Sequence, residues 1–307
     1  MGPDSGELTE IADGVHAYVQ PDGTWWVNNA GVIAGDGGTF VVDTCATAER
    51  TRRFLGLAAE ATGTATPRWA VNTHQHGDHS YGNSLLPEST VLIGHEAMRA
   101  ALAVDPLLEY CPPVWTPRPD WGPVTRRLPD VTMTTELVVH NGDRRIELHH
   151  PGYPAHTGGD VVVWLPGEKV LFTGDLVFNG LTPMMGMGSC EGGLLSLEWL
   201  ASFRAEHLVP GHGPLMRAED VPEVFEKLSA YYRLVLDTAA AGRRDGLTPL
   251  DAARRCDLGE FAGWADGERL VLNLHREYAI AEESEVDLVA AFGDAITYHG
   301  GPLRTTV

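Results

Sequence analysis

The sequence predicts an α/β protein with a helical addition on its C-terminal side, and three observations predict it. Short runs of apolar, branched and aromatic residues, punctuated by Gly, Pro and Asp, recur in two sets, one before about residue 130 and one after it. Segments with helical spacing flank both sets. From about residue 218 the pattern turns mostly helical, with no linker between the parts. A chain of 307 residues is long enough for a large core, and we expect a single domain over residues 1–307, with a core over about 8–217 and a helical part over about 218–307.

In chain order, residues 14–19 and 25–34 read as strands. Residues 38–44 form a buried strand ending in the polar pair Asp43-Thr44. Asp43 is either a carboxylate that accepts from the outer N–H of a metal-bound histidine or the capping residue of the next helix, over 46–62. An apolar run, 68–72, is another strand, as is 90–94, and His95 starts a helix to residue 103. Prolines are too dense in 106–123 for a helix or central strand. This stiff aromatic loop, with Trp115 and Trp121, is either a lid over a site or a surface excursion. Residues 136–149 form a hairpin turning at Asn141-Gly142-Asp143, and 160–165 and 169–172 are strands. Residues 178–195 are irregular; Met184, Met185 and Met187 make an adaptable apolar wall or a loosely packed loop. Helices follow at 224–241, from Thr248-Pro249, at 270–281 and at 286–298. They either cover a pocket or pair two subunits as a homodimer.

The chemistry is concentrated in His74-Gln75-His76-Gly77-Asp78-His79. His74 and His76 alternate about Gln75, so extended backbone points both the same way. Gly77 permits a sharp turn, and Asp78 and His79 follow at the start of a short helix. This geometry suits two metals: His74 and His76 for the first, Asp78 and His79 for the second. Neutral imidazole and carboxylate suit zinc at roughly 2.0–2.2 Å. Further ligand-capable residues sit just after apolar runs or in Gly/Pro turns, namely His156, Asp175 and His212, where open α/β architectures collect their site residues.

On these motifs the chain resembles the metallo-β-lactamase superfamily. The resemblance implies a four-layered αββα sandwich with its site at one edge of two facing sheets. It also implies one metal held by His74, His76 and His156, a second by Asp78, His79 and His212, and Asp175 bridging them. The commonest zinc β-lactamases have cysteine where this chain has Asp175, which points away from antibiotic hydrolysis and toward thioesterases and lactonases. Two zinc ions roughly 3.5–4 Å apart can supply a hydroxide at neutral pH and polarise a carbonyl. The hydroxide then attacks an ester or thioester, or removes a proton beside a carbonyl.

Over its whole length the chain also resembles the second-ring cyclases of aromatic polyketide pathways. The segments 71–79, 154–157, 160–166, 248–255, 257–263 and 268–276 carry that resemblance, which breaks at Gly158-Gly159 and in 178–195. It implies a poly-β-ketone delivered by an acyl carrier protein, aldol closure of a second ring, and thioester cleavage alongside it. The Trp115/Trp121 and Met184/Met185/Met187 loops are then the expected pocket wall, and Asp78 the residue that orients the hydroxide and relays protons. The alternative is a plain metal-dependent thioesterase or lactonase.

Composition narrows the partners. Lys and Arg number 22 against 42 Asp and Glu, a net charge of −20. Such a field repels nucleic acid and anionic membrane. Cys45, Cys111, Cys190 and Cys256 lack disulfide or metal spacing, which suggests a reducing compartment. The acidic start of the chain lacks a signal-peptide core and no run is long enough to span a membrane, so we expect a cytoplasmic enzyme.

Overall fold

Side-chain alternation along the strands divides this protein into layers. In the computed structural model, which describes residues 6–307, the acidic start discussed above lies largely outside the described residues. The chain begins with β1 (Glu7–Ala12), β2 (Val15–Val19), β3 (Ala30–Ile33) and β4 (Phe40–Val42). There follow α1 (Ala48–Thr62), β5 (Trp69–Val71), α2 (Gly77–Ser80), β6 (Val91–His95), α3 (Glu96–Ala103), β7 (Trp115–Thr116) and β8 (Val131–Met133). The second half contributes β9 (Glu136–Asn141), β10 (Arg144–His149), β11 (Val162–Leu165), β12 (Val170–Phe178), α4 (Cys190–Ala201), β13 (His207–His212) and β14 (Met216–Arg217). Then come α5 (Val221–Arg244), α6 (Pro249–Arg255), α7 (Arg269–Ala281), α8 (Leu288–His299) and β15 (Leu303–Arg304).

Two mixed sheets result. One runs β1-β2-β3-β4-β5-β6-β8 and the other β14-β13-β12-β11-β10-β9. Val42, Val71 and Ile93 of the first sheet meet Val163, Phe172 and Val209 of the second in one apolar layer. Their strand neighbours Val41, Ala70 and Leu92 face the other way, onto Phe54 and Ala58 of α1. Leu171 and Leu208 likewise turn outward, into a cluster with Leu197 and Leu200 of α4 and Leu228 of α5. Period-two strands thus bury both faces, giving the expected αββα order. The helical part α5–α8 belongs to that same outer cluster, together with Trp25 and Trp115.

Most expected elements are present, with informative differences. The 136–149 hairpin pairs Asn141 with Arg144 across a two-residue turn. Thr47 caps α1, accepting from Arg50 N, so Asp43 is not that helix's cap. His95 ends β6 and caps α3, accepting from Ala97 N. Residues 25–34 are not one strand: only 30–33 join the sheet, and Trp26 adopts φ 70°, which turns the chain aside. Residues 190–195 are not irregular; they open α4, capped by the Ser189 hydroxyl, which accepts from Gly192 N. Gly77 lies in α2 rather than a sharp turn, and its missing Cβ makes room for the Tyr81 ring.

Candidate metal centre

The seven predicted ligands converge at one edge of the sandwich. β4 and β5 run parallel, as do β12 and β13, so their C-terminal ends deliver Asp43, the 74–79 segment and His212 to the same place. Asp175 lies within β12, where Gly174 takes φ 51° and the register with β13 shifts. The bulge aims the carboxylate into the site. Gly211 passes so close to it that a Cβ there would collide with Asp175 Oδ1. His156 sits between β10 and β11, in a turn held by Asp160, whose carboxylate accepts from Thr157 N and from Thr157 Oγ1 at 2.6 Å. Burial pushes the Asp160 carboxyl up to about 7, against the hydrogen bonds from Thr157.

Two groups form: His74, His76, His156 and Asp175, and Asp78, His79 and His212. Their hydrogen bonding tests whether they fit a metal. His156 Nδ1 donates to Met184 O at 2.7 Å. Thr73 Oγ1 donates to Asp43 Oδ2 at 2.8 Å, so it accepts from His74 Nδ1 at 3.1 Å. His76 Nε2 faces Met187 Sδ at 3.3 Å. The outer nitrogens are therefore the protonated ones, and the inner nitrogens carry bare lone pairs. Those lone pairs point at each other, with His76 Nδ1 3.1 Å from His74 Nε2 and 2.9 Å from His156 Nε2. Tetrahedral zinc ligands lie roughly 3.3 Å apart for bonds of about 2.0 Å. Three converging lone pairs repel without a cation, so the trio fits a metal. Burial keeps these rings neutral: it drives His74 well below the usual histidine range, lowers His76 and takes His156 to about 3.

The second group is locked in the same way. His79 Nδ1 donates to Asp43 Oδ2 at 2.8 Å and His212 Nδ1 to Gly23 O at 2.9 Å. Their inner nitrogens face carboxylates: His79 Nε2 is 3.0 Å from Asp175 Oδ1, and His212 Nε2 is 3.2 Å from Asp78 Oδ2 and 3.3 Å from Asp175 Oδ2. Neither His79 Nε2 nor Asp175 Oδ1 has a hydrogen-bond partner among the described residues, although both are buried. Two neighbouring atoms misaligned for a hydrogen bond are what two ligands of one ion look like. Burial would lower both imidazoles but the carboxylates outweigh it. They lift His79 well above its usual range and His212 to about 9. Burial would also raise the Asp78 carboxyl, but His79 and His212 hold it at about 2. Asp175 approaches nitrogens of both groups, as a bridging ligand must.

His76, Asp78, Asp175 and His212 form the floor of a cavity of about 330 Å³, within the size range of small-molecule sites. Its walls are mostly apolar. Trp115, Met184 and Met187 line it, as the sequence suggests. Trp121 and Met185 do not. Trp121 stands behind the wall, packed on Trp26 at 4.7 Å and tied to Leu107 O at 2.9 Å. Met185 is buried, its amide held by Asn273 Oδ1 at 2.7 Å. The sequence reading missed Trp25, Trp26, Phe178, Phe292 and Arg269, which also line the cavity. The Trp25-Trp26 pair looked like strand, and the helical Phe292 and Arg269 reach the cavity only through tertiary packing. His149 and His150 stay outside both metal groups.

The fold and its two His/Asp clusters define the class of protein, and comparison gives the family. The chain belongs to the metallo-beta-lactamase superfamily, whose pattern it matches over residues 23–212. It is similar to acyl-coenzyme A thioesterase MBLAC2 of Gallus gallus, 29% identical over 185 residues, 54% of this chain. That match spans 64% of the chicken protein, less than two thirds of its length. It is also similar to hydroxyacylglutathione hydrolase of Anaeromyxobacter dehalogenans, 26% identical over 222 residues, 70% of this chain and 71% of that one. Among solved structures, a metallo-beta-lactamase from Pontibacter korlensis superposes with a TM-score of 0.60 at 21% identity, over 75% of this chain and 99% of that one. Among the described residues no helix is long and apolar enough to cross a membrane, and the four cysteines are free.

Proposed function

We propose that this protein is a binuclear metal-dependent hydrolase that cleaves the thioester of a bulky apolar acyl group. One observation carries the proposal: the Asp175 carboxylate lies 3.0 Å from His79 Nε2 and 3.4 Å from His156 Nε2, between the two ligand groups, at the floor of a cavity with mostly aromatic and apolar walls. Bound there, two divalent cations such as Zn²⁺ would polarise a carbonyl and make water nucleophilic at neutral pH. The protein does the rest. Asp175 holds both halves of the centre in one register. Asp78, at the cavity floor, accepts and passes on the proton of the attacking water. The wall orients the acyl group and keeps bulk water away from the reacting carbon. Met187 and Val104, 40% and 77% exposed, border the mouth, where the thiol carrier leaves. Two similar proteins are named for cleaving acyl groups from coenzyme A and glutathione, which supports the reaction type.

Ring closure of a carrier-bound poly-β-ketone is the second reading, and the carrier would be an acyl carrier protein. The aromatic cavity favours it, since a folded polyketide needs apolar walls. Its remaining support is the resemblance in sequence; the comparisons support hydrolysis. One experiment separates the two. Zinc-loaded protein is given aromatic and fatty acyl thioesters of coenzyme A, and separately a reconstituted polyketide synthase, with products identified by mass spectrometry. Free acid and thiol, lost with chelator and restored by zinc, support hydrolysis. A chelator-sensitive bicyclic product favours the cyclase. Turnover that persists after complete metal removal would defeat both.

A further inference from the structure

The cavity wall rests on a strand far from it in sequence. β7, which carries Trp115, has one strand partner among the described residues, β15. Leu303 pairs with Trp115, and Leu303 N donates to Val114 O at 2.8 Å. The next residue but one reaches the other side of the wall. Thr305 forms a bridge with Trp25, and its buried hydroxyl donates to Trp25 O at 2.6 Å. One short segment thus grips the backbones of two wall tryptophans whose rings meet edge to face at 5.6 Å.

The rings need that grip to different degrees. Trp25 has a second anchor, because its indole N–H donates to Glu268 Oε1 at 2.6 Å and its ring lies under the Arg269 guanidinium. Trp115 has none: its indole nitrogen is buried without a hydrogen-bond partner among the described residues. Only packing and the β7–β15 pairing set its place, within a proline-rich loop that has little other regular structure. Trp115 packs on Trp26 and Phe292 at 5.0 and 5.5 Å, so a shift of β7 moves the wall as a unit.

We infer that residues 303–305 are positioning residues for acyl selectivity: by clamping Trp25 to Trp115 they set the shape of the cavity wall without touching the metal centre. Leu303 and Thr305 are buried but do not line the cavity. The inference concerns ligand size and does not depend on the reaction being hydrolysis, so its first readout is binding. The probe is the neutral naphthalene fluorophore prodan, titrated into zinc-loaded protein by fluorescence, with metal content measured in parallel.

Deleting residues 303–307 is expected to weaken prodan binding about tenfold, and Thr305→Val about threefold, both with metal content unchanged. With thioesters, KM for a 2-naphthoyl substrate rises in the same order while kcat changes less than about twofold, and acetyl thioester turnover stays within about twofold of the parent. Unchanged prodan affinity in the folded deletion overturns the inference, and so does metal loss in step with probe loss. Equal losses on naphthoyl and acetyl substrates also overturn it. If the deletion does not fold, Thr305→Val decides: a threefold weaker Kd supports the clamp and an unchanged Kd refutes it. An enzyme that binds prodan in this pattern yet cleaves no thioester would sink the proposed reaction and leave the clamp standing.

Discussion

The Asp43 carboxylate accepts from His79 Nδ1 at 2.8 Å, and this contact decides which nitrogen of His79 faces the metal centre. Asp43 itself sits at φ 59°, a conformation that Asp and Asn tolerate better than other residues. Its other bonds, from Thr73 N at 2.7 Å and Thr73 Oγ1 at 2.8 Å, tie the 74–79 segment to the end of β4. The carboxylate therefore fixes the tautomers of two ligands: His79 directly, and His74 through Thr73.

Asp43→Asn keeps the backbone conformation and the shape but turns one acceptor into an N–H. That N–H opposes the His79 Nδ1 proton and favours the wrong tautomer. Zinc affinity of the Asp78/His79/His212 group is expected to fall by roughly 10–100-fold, the usual effect of removing a partner of a metal-bound histidine. Isothermal titration of the metal-free protein checks this, and two unchanged affinities would show that Asp43 does not orient His79.

The two groups should also differ in what they release. In the metal-free chain burial keeps His156 neutral, with its pKa lowered to about 3, whereas carboxylates raise His212 to about 9 and His79 well above the usual range. Between the unperturbed histidine value and about pH 9, a raised pKa means the folded, metal-free ring holds a proton that metal must displace. Filling the second group at pH 7 therefore releases protons, and its apparent affinity climbs as pH rises toward 9. Filling the first group displaces no imidazole proton at pH 7, because burial holds all three of its histidines below the usual range. Calorimetry in buffers of different ionisation enthalpy measures the count. Equal proton release from both groups would contradict this assignment.

The two His/Asp clusters were legible in sequence because most of their geometry is local. His74, His76, Asp78 and His79 fall within six positions, and His156, Asp175 and His212 each follow an apolar run or sit in a Gly/Pro turn. The cavity wall was not, because it is assembled across the whole chain. Nothing local distinguishes Trp115, which lines the cavity, from Trp121, which stands behind it; the pairing of β7 with β15 decides that. Trp25 and Trp26 carried a strand signal that Trp26's left-handed backbone overrides. The start of α4 was hidden by Gly188, Gly192 and Gly193, although Ser189 before an apolar run was a readable capping signal.

Asp175 and His156 separate the shared ligand from a one-sided one. Asp175 Oδ2 is 3.4 Å from His156 Nε2 and 3.3 Å from His212 Nε2, so Asp175→Ala is expected to cut bound metal from two equivalents toward none and take turnover to background. His156→Ala removes a ligand from one group only and should leave close to one equivalent. Elemental analysis of the purified variants tests both. Two equivalents retained by Asp175→Ala would mean that this carboxylate does not bridge.

Trp121 and Trp115 come from the same loop but should fail in opposite ways. Trp121 packs on Trp26 and Tyr81 at 4.7 and 5.3 Å and is 6% exposed, with its indole N–H donating to Leu107 O. Trp121→Ala empties a buried site and strands a carbonyl, which should destabilise the fold by about 3–5 kcal/mol. KM should stay close to the parent value at temperatures where the protein is folded. Trp115→Ala enlarges the cavity itself, so KM for bulky acyl thioesters should rise by an order of magnitude while metal content holds. Denaturant unfolding and steady-state kinetics on the two variants give the comparison. If Trp121→Ala shifted KM as strongly as Trp115→Ala, the second tryptophan would have to be counted part of the cavity wall after all.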